Sequence, residues 1–192
     1  MKSYEEIIKN FKMTFFEEGS TLFTKAKGED IQELKELFGI KMEKVIDFYA
    51  NYEPNEIPML NCNIQLHNIE RILDENYRGE PGKYLAMYGV YVFATTIGGG
   101  CVCLDTNNIV NGEPSILAVD SSFAYFDNEH DCIGIYLWKN NYKDYGIDIY
   151  NDKLLQLNAE NIQKFNCKIS DSFSDFLYDL SVNKYDDIEN YL

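Results

Sequence analysis

The sequence predicts an α+β fold: a single domain over residues 1–192 in which a mostly antiparallel, twisted sheet is flanked by N-terminal helices and covered by a C-terminal helix. Four observations carry that prediction. Apolar residues recur at helical spacing through the first part of the chain, the period changes to two from Tyr84, and helical spacing returns after Ser172. The connections between the strand candidates are short, which makes neighbouring strands antiparallel.

Ser3-Tyr4-Glu5-Glu6 has the S-x-x-E form of a capping box, and Ile7, Ile8, Phe11 and Phe15 follow on one face, so a first helix is expected over 3–18. Asp30 is placed to cap a second helix with Ile31, Leu34 and Leu37 on one side, ended by Gly39. Met42, Val45, Ile46 and Tyr49 predict a third, and Pro54 and Pro58 close the helical opening. Ile64 to Leu66 alternates as a strand, and 68–76 reads as a helix with Ile69, Ile72 and Leu73 inward. Strands are then expected at 84–88, 90–96, 101–105, 115–119, 122–126, 132–138 and 146–150. Residues 139–170 are rich in Asn and carry no clear period. Ser172 is positioned to cap a helix whose Phe173, Phe176, Leu177 and Leu180 form one apolar face, and the acidic tail 185–192 is expected to be loosely held.

A chain of 192 residues that is 45% hydrophobic can bury enough apolar surface to offset its ordering entropy. Seventeen Lys and Arg against 32 Asp and Glu leave a formal charge of -15, which repels nucleic-acid backbones and anionic membranes and attracts cationic surfaces. No nucleic-acid or membrane partner is therefore expected. The five cysteines, Cys62, Cys101, Cys103, Cys132 and Cys167, are odd in number, widely spread and without a CxxC pair, as suits reduced thiols in a cytoplasmic protein. No run approaches the ~18 to 20 apolar residues of a membrane-spanning helix.

Several stretches invite a chemical role. The triplet Gly98-Gly99-Gly100 lacks the following Lys-Ser/Thr and the helix that a phosphate loop needs, and it leads into the alternating Cys101-Val102-Cys103-Leu104-Asp105, so it reads as a tight hairpin turn. Cys101 and Cys103, one face of that strand, could join His67, His130 or Cys132 around zinc, but the spacing favours buried thiols and no metal or other cofactor is assigned. His130 has no nucleophile motif beside it, so no catalytic residue is assigned either. Asp127, Glu129 and Asp131 cluster in a polar turn between two strands, where they would repel anions and steer a cationic partner. Trp138 is expected in the core.

The order of these pieces resembles the SUKH superfamily, the Smi/Knr-type domains best known as bacterial immunity proteins. The resemblance rests on IQELKELFGIKMEKVIDFYANYEPN (31–55), IQLHNIERILDENY (64–77), VFATTIGGGCVCLDTNNIVNGEPSILAVD (92–120) and SFSDFLYDL (172–180), and it implies a domain core over 31–180 with the helix 3–18 and the tail 185–192 as extensions. Asp105 matches the Asp that such domains carry at the end of the strand after the glycine hairpin, while Cys101 stands where an acidic or amide residue is usual, and Lys41-Met42 replaces a usual Leu-Pro. The resemblance implies a non-enzymatic protein that binds and neutralises a cognate, basic toxin protein, often a nuclease, or alternatively a regulatory or scaffold module. It implies no catalytic residues.

Overall fold

A computed structural model describes residues 3–15, 21–55, 62–137 and 155–192, and every structural statement below concerns these residues. The fold is α+β and forms one domain. The first helix, α1 (Tyr4–Phe15), is capped as expected, Ser3 Oγ accepting the Glu6 amide at 3.2 Å. A short β1 (Phe23–Thr24) precedes α2 (Gly28–Phe38), which starts before Asp30: the Ile31 amide reaches the Lys27 carbonyl, so Asp30 sits inside the first turn, where its charge suits the helix dipole without capping it. Gly39, at φ +69°, ends α2. After a 3-10 turn (Ile40–Met42), α3 (Glu43–Tyr52) runs into β2 (Glu53–Pro54), which pairs with β1.

The main sheet is antiparallel, in the order β3-β4-β5-β6-β9: β3 is Ile64–Leu66, β4 Val90–Thr96, β5 Cys101–Val110, β6 Glu113–Val119 and β9 Cys167–Ser170. Between β3 and β4 lie α4 (Ile69–Tyr77), capped by Asn68 on the Arg71 amide, and α5 (Gly82–Ala86). The strand expected at 84–88 is thus a helix. A Cβ on Gly82 would lie 2.3 Å from the Glu75 carbonyl oxygen, so the chain can turn tightly against the end of α4 here, and Tyr84 and Leu85 face the sheet from a single helical turn.

A separate hairpin, β7 (Ala124–Asp127) and β8 (Cys132–Ile135), follows β6. Both strands are shorter than expected. Asp120 takes up residues 122 and 123 in a turn, its carboxylate accepting the Ser122 amide and its carbonyl the Phe123 amide. Trp138, the end of the 132–138 strand and the whole of the 146–150 strand lie outside the described residues, as do 16–18 of the first helix. The chain resumes with α6 (Ala159–Phe165), capped by Asn158, then β9 and α7 (Phe173–Ser181), which Ser172 caps on the Asp175 amide at 3.1 Å.

The sheet is buried on both faces. On one, α1 to α4 and α7 enclose an aromatic cluster in which Phe173 meets Phe48 and Phe93 edge-on, with centroids 5.4 and 5.6 Å apart. On the other, α5, α6 and the β7–β8 hairpin cover Val90, Val92, Cys103 and Leu117. A bulge between Val92 and Ala94 puts the consecutive residues Phe93 and Ala94 on the same, first face. There the buried Asn76 side chain completes the ladder, accepting the Val92 amide at 2.9 Å and donating to the Val92 carbonyl at 2.8 Å.

The tail is docked, not loose. Ile188 is fully buried, its amide donates to the Cys62 carbonyl at 3.1 Å, and Asp187 accepts from Asn63 at 3.0 Å. An acidic sequence suggested solvation; two buried apolar residues, Tyr185 and Ile188, set at the spacing of one helical turn, override it.

Candidate functional site

The glycine triplet is a turn between β4 and β5, as its sequence context requires. Thr96 and Gly100 close it backbone to backbone at 2.8 Å, and Gly99 takes φ +91°, which a side chain would oppose. Its free amide at Gly98 is used within the molecule: Glu189 Oε1 from the tail accepts it at 2.7 Å. A Cβ on Gly98 would come within 2.6 Å of that carboxylate, so the missing side chain is what admits it.

Cys101 and Cys103 point into the sheet's second core, 3% and 0% exposed. Burial, reinforced by the nearby Glu75 and Asp120 carboxylates, pushes the Cys101 thiol up to about 12, and burial pushes Cys103 well up also. Such thiols are protonated at neutral pH and make poor nucleophiles. His67 is on the β3–α4 connection and His130 on the far hairpin turn; among the described residues no three His, Cys, Asp or Glu side chains converge as ligands. The expected reactivity order is therefore set by exposure. Under native conditions a thiol reagent should modify Cys167 first and half-buried Cys132 more slowly, with Cys62, Cys101 and Cys103 reacting only on unfolding. Rapid native labelling of Cys101 or Cys103 would contradict this assignment.

Asp105, at the far end of the same strand face, is a fully buried carboxylate surrounded by donors: Gln163 Nε2 at 2.6 Å, Asn108 Nδ2 at 2.7 Å, and the Asn107 amide and side chain at 3.0 Å each. It ties α6 to the middle of β5, a structural role. Glu113 is similarly buried, bridging Lys44 at 3.3 Å and the Ser174 amide of the α7 N-terminus at 2.8 Å.

The acidic turn 127–131 links β7 and β8 as expected, and its three carboxylates are not equivalent. Asp127 is turned inward. Its Oδ1 accepts the Glu129 amide at 2.8 Å and its Oδ2 lies 3.0 Å from His130 Nδ1, a contact that holds its carboxyl below the ordinary range. Glu129 and Asp131 are exposed, Asp131 in the left-handed region at φ +49°. Charge is thus presented by two residues and the loop is shaped by the third.

One concave feature is not apparent from the sequence. An open cleft of about 870 Å³ runs along the outer face of α4, lined by Arg71, Asp74, Glu75, Tyr77 and Arg78 and by Glu33 of α2. The only local signal is that Arg71 and Arg78, two turns apart, stand off the apolar stripe of that helix. No helix among the described residues is long and apolar enough to cross a membrane. Compared with protein-family models, with curated proteins and with solved structures, the chain matches none.

Proposed function

We propose that this chain is a non-enzymatic binding protein of the immunity type, resembling the SUKH superfamily, which neutralises a basic protein toxin by covering its cationic surface. The observation that carries the proposal is the charge of -15, part of it projected by Glu129 and Asp131 from a hairpin turn that lies outside both cores. A nuclease holds its polyanionic substrate in a cationic cleft, and an acidic protein can occupy the same cleft.

The test is recovery of the partner at low salt from cells of the native host, followed by association kinetics. A basic protein whose toxicity this chain suppresses is expected. Its on-rate should fall by about tenfold or more between about 0.05 and 0.5 M salt, because screening shortens the reach of the charge. The double variant Glu129→Gln/Asp131→Asn should lower the low-salt on-rate several-fold while leaving the Asp127 hydrogen bonds of the turn intact. An acidic partner, or an on-rate indifferent to salt, would rule out the charge-driven mechanism.

A further inference from the structure

The surface around α4 and α5 carries a different signature from the acidic turn. Tyr77 and Met87 are 58% and 68% exposed, an unusual outlay of apolar surface for neighbours on a well-packed domain. Tyr77 stands between two hollows: the cleft along α4 and a smaller one of about 360 Å³ that it lines together with Met87, Leu37 and Tyr91. The chain has only two arginines, Arg71 and Arg78, and both line the larger hollow. Tyr, Met and Arg are the residue types enriched at the centres of protein interfaces, and knob-accepting hollows beside an aromatic are where binding energy concentrates.

The charge around this centre is acidic on balance. In the larger hollow Glu33, Glu70, Asp74 and Glu75 outnumber the two arginines, and in the smaller one Glu36 is matched by Lys83. The arginines are held by pairs of helical spacing, Arg71 to the half-buried Glu75 at 3.6 Å and Arg78 to the exposed Asp74 at 3.4 Å, both open to solvent screening and to exchange by a partner. A second copy of this chain would bring its own strong negative charge to an acidic rim, so self-association is opposed. Resting on the basic-partner reading above, we propose that the α4–α5 face, centred on Tyr77 and Met87, is the anchoring surface for that basic protein, its two hollows taking apolar side chains flanked by Lys or Arg.

The test uses the full chain as bait for a random linear-peptide library displayed on phage, selected at physiological salt. Enriched peptides should combine one or two Leu, Phe or Trp residues with flanking Lys or Arg, and should lose at least about tenfold in affinity for Tyr77→Ser/Met87→Ser. Both replaced side chains are exposed, so the variant should melt where the wild type does. Peptides that ignore this variant but are lost with Glu129→Lys would overturn the proposal and leave the acidic-surface reading standing. Acidic peptides, or no enrichment, would overturn both. A dimer seen by sedimentation and dissociated by Tyr77→Ser would also overturn it, since the face would then serve self-assembly.

Discussion

Acidification below about pH 6.5 should weaken the fold by roughly 1.4 kcal/mol per pH unit through His67 alone. The imidazole is 1% exposed, its Nε2 lies 2.9 Å from Thr95 Oγ1, and its Nδ1 has no partner among the described residues. Burial, with a smaller contribution from the Arg71 charge, pushes its pKa down to about 3. In the unfolded chain the ring takes up a proton near pH 6.5; in the folded chain it stays neutral until about pH 3. The unfolded state therefore binds the extra proton throughout that window, and stability falls as pH falls, by about 5 kcal/mol in total. Carboxylates also contribute to acid unfolding, so the measurement is a difference. Denaturant titrations at several pH values should show a shallower pH dependence for His67→Gln than for the wild type, and parallel curves would refute the assignment.

Replacing Asp105 with alanine should cost about 3 kcal/mol. Its carboxylate gathers donors from β5, from β6 through Ser115 Oγ at 3.4 Å, and from Gln163 of α6, and hydrogen bonds to charged acceptors are the stronger kind. Without it the Gln163 and Asn108 side chains keep, among the described residues, only each other, at 2.8 Å. The loss should be local as well as global: hydrogen exchange in 159–170 should quicken more than in β4 or α7, because α6 and β9 cover the sheet edge that this residue secures. Asp105→Asn, which turns an NH2 towards existing donors on one side and keeps an acceptor on the other, should fall between. An alanine variant within about 0.5 kcal/mol of wild type would show that these bonds merely replace water.

The parts of the fold legible in the sequence are those with a local physical signature. Ser3, Asn68 and Ser172 mark helix starts because a short oxygen-bearing side chain is what the first amides need. The glycine triplet marks its turn because φ at Gly99 excludes other residues at low cost. The misreadings arise where local pattern underdetermines structure. Tyr84-Leu85 fits either period in so short an element, and Thr106-Asn107-Asn108, though in β5, looks like a loop because its pairing with β6 shifts register there. β9 is an edge strand with Cys167 and Lys168 exposed, so it shows no alternation to read. Of the candidate sites, the acidic turn was legible as a turn, but the inward role of Asp127 depends on a ring three residues away. The α4 cleft was barely legible, because Glu33 and Arg78 come to line one hollow through the packing of two helices distant in sequence.

The packing of α1 on α7 has a consequence for biosynthesis. Ile7, Ile8 and Phe11 share a core with Phe176, Leu177 and Leu180, and Thr14 Oγ1 donates to the Ser181 carbonyl at 2.8 Å. Because α1 is synthesised well before α7, the part of its oily side that α7 covers stays open until α7 has been made. Until then the nascent polypeptide carries a sticky flank that chaperones must shield, so truncated products should be cleared or aggregate, not accumulate as partly folded monomers.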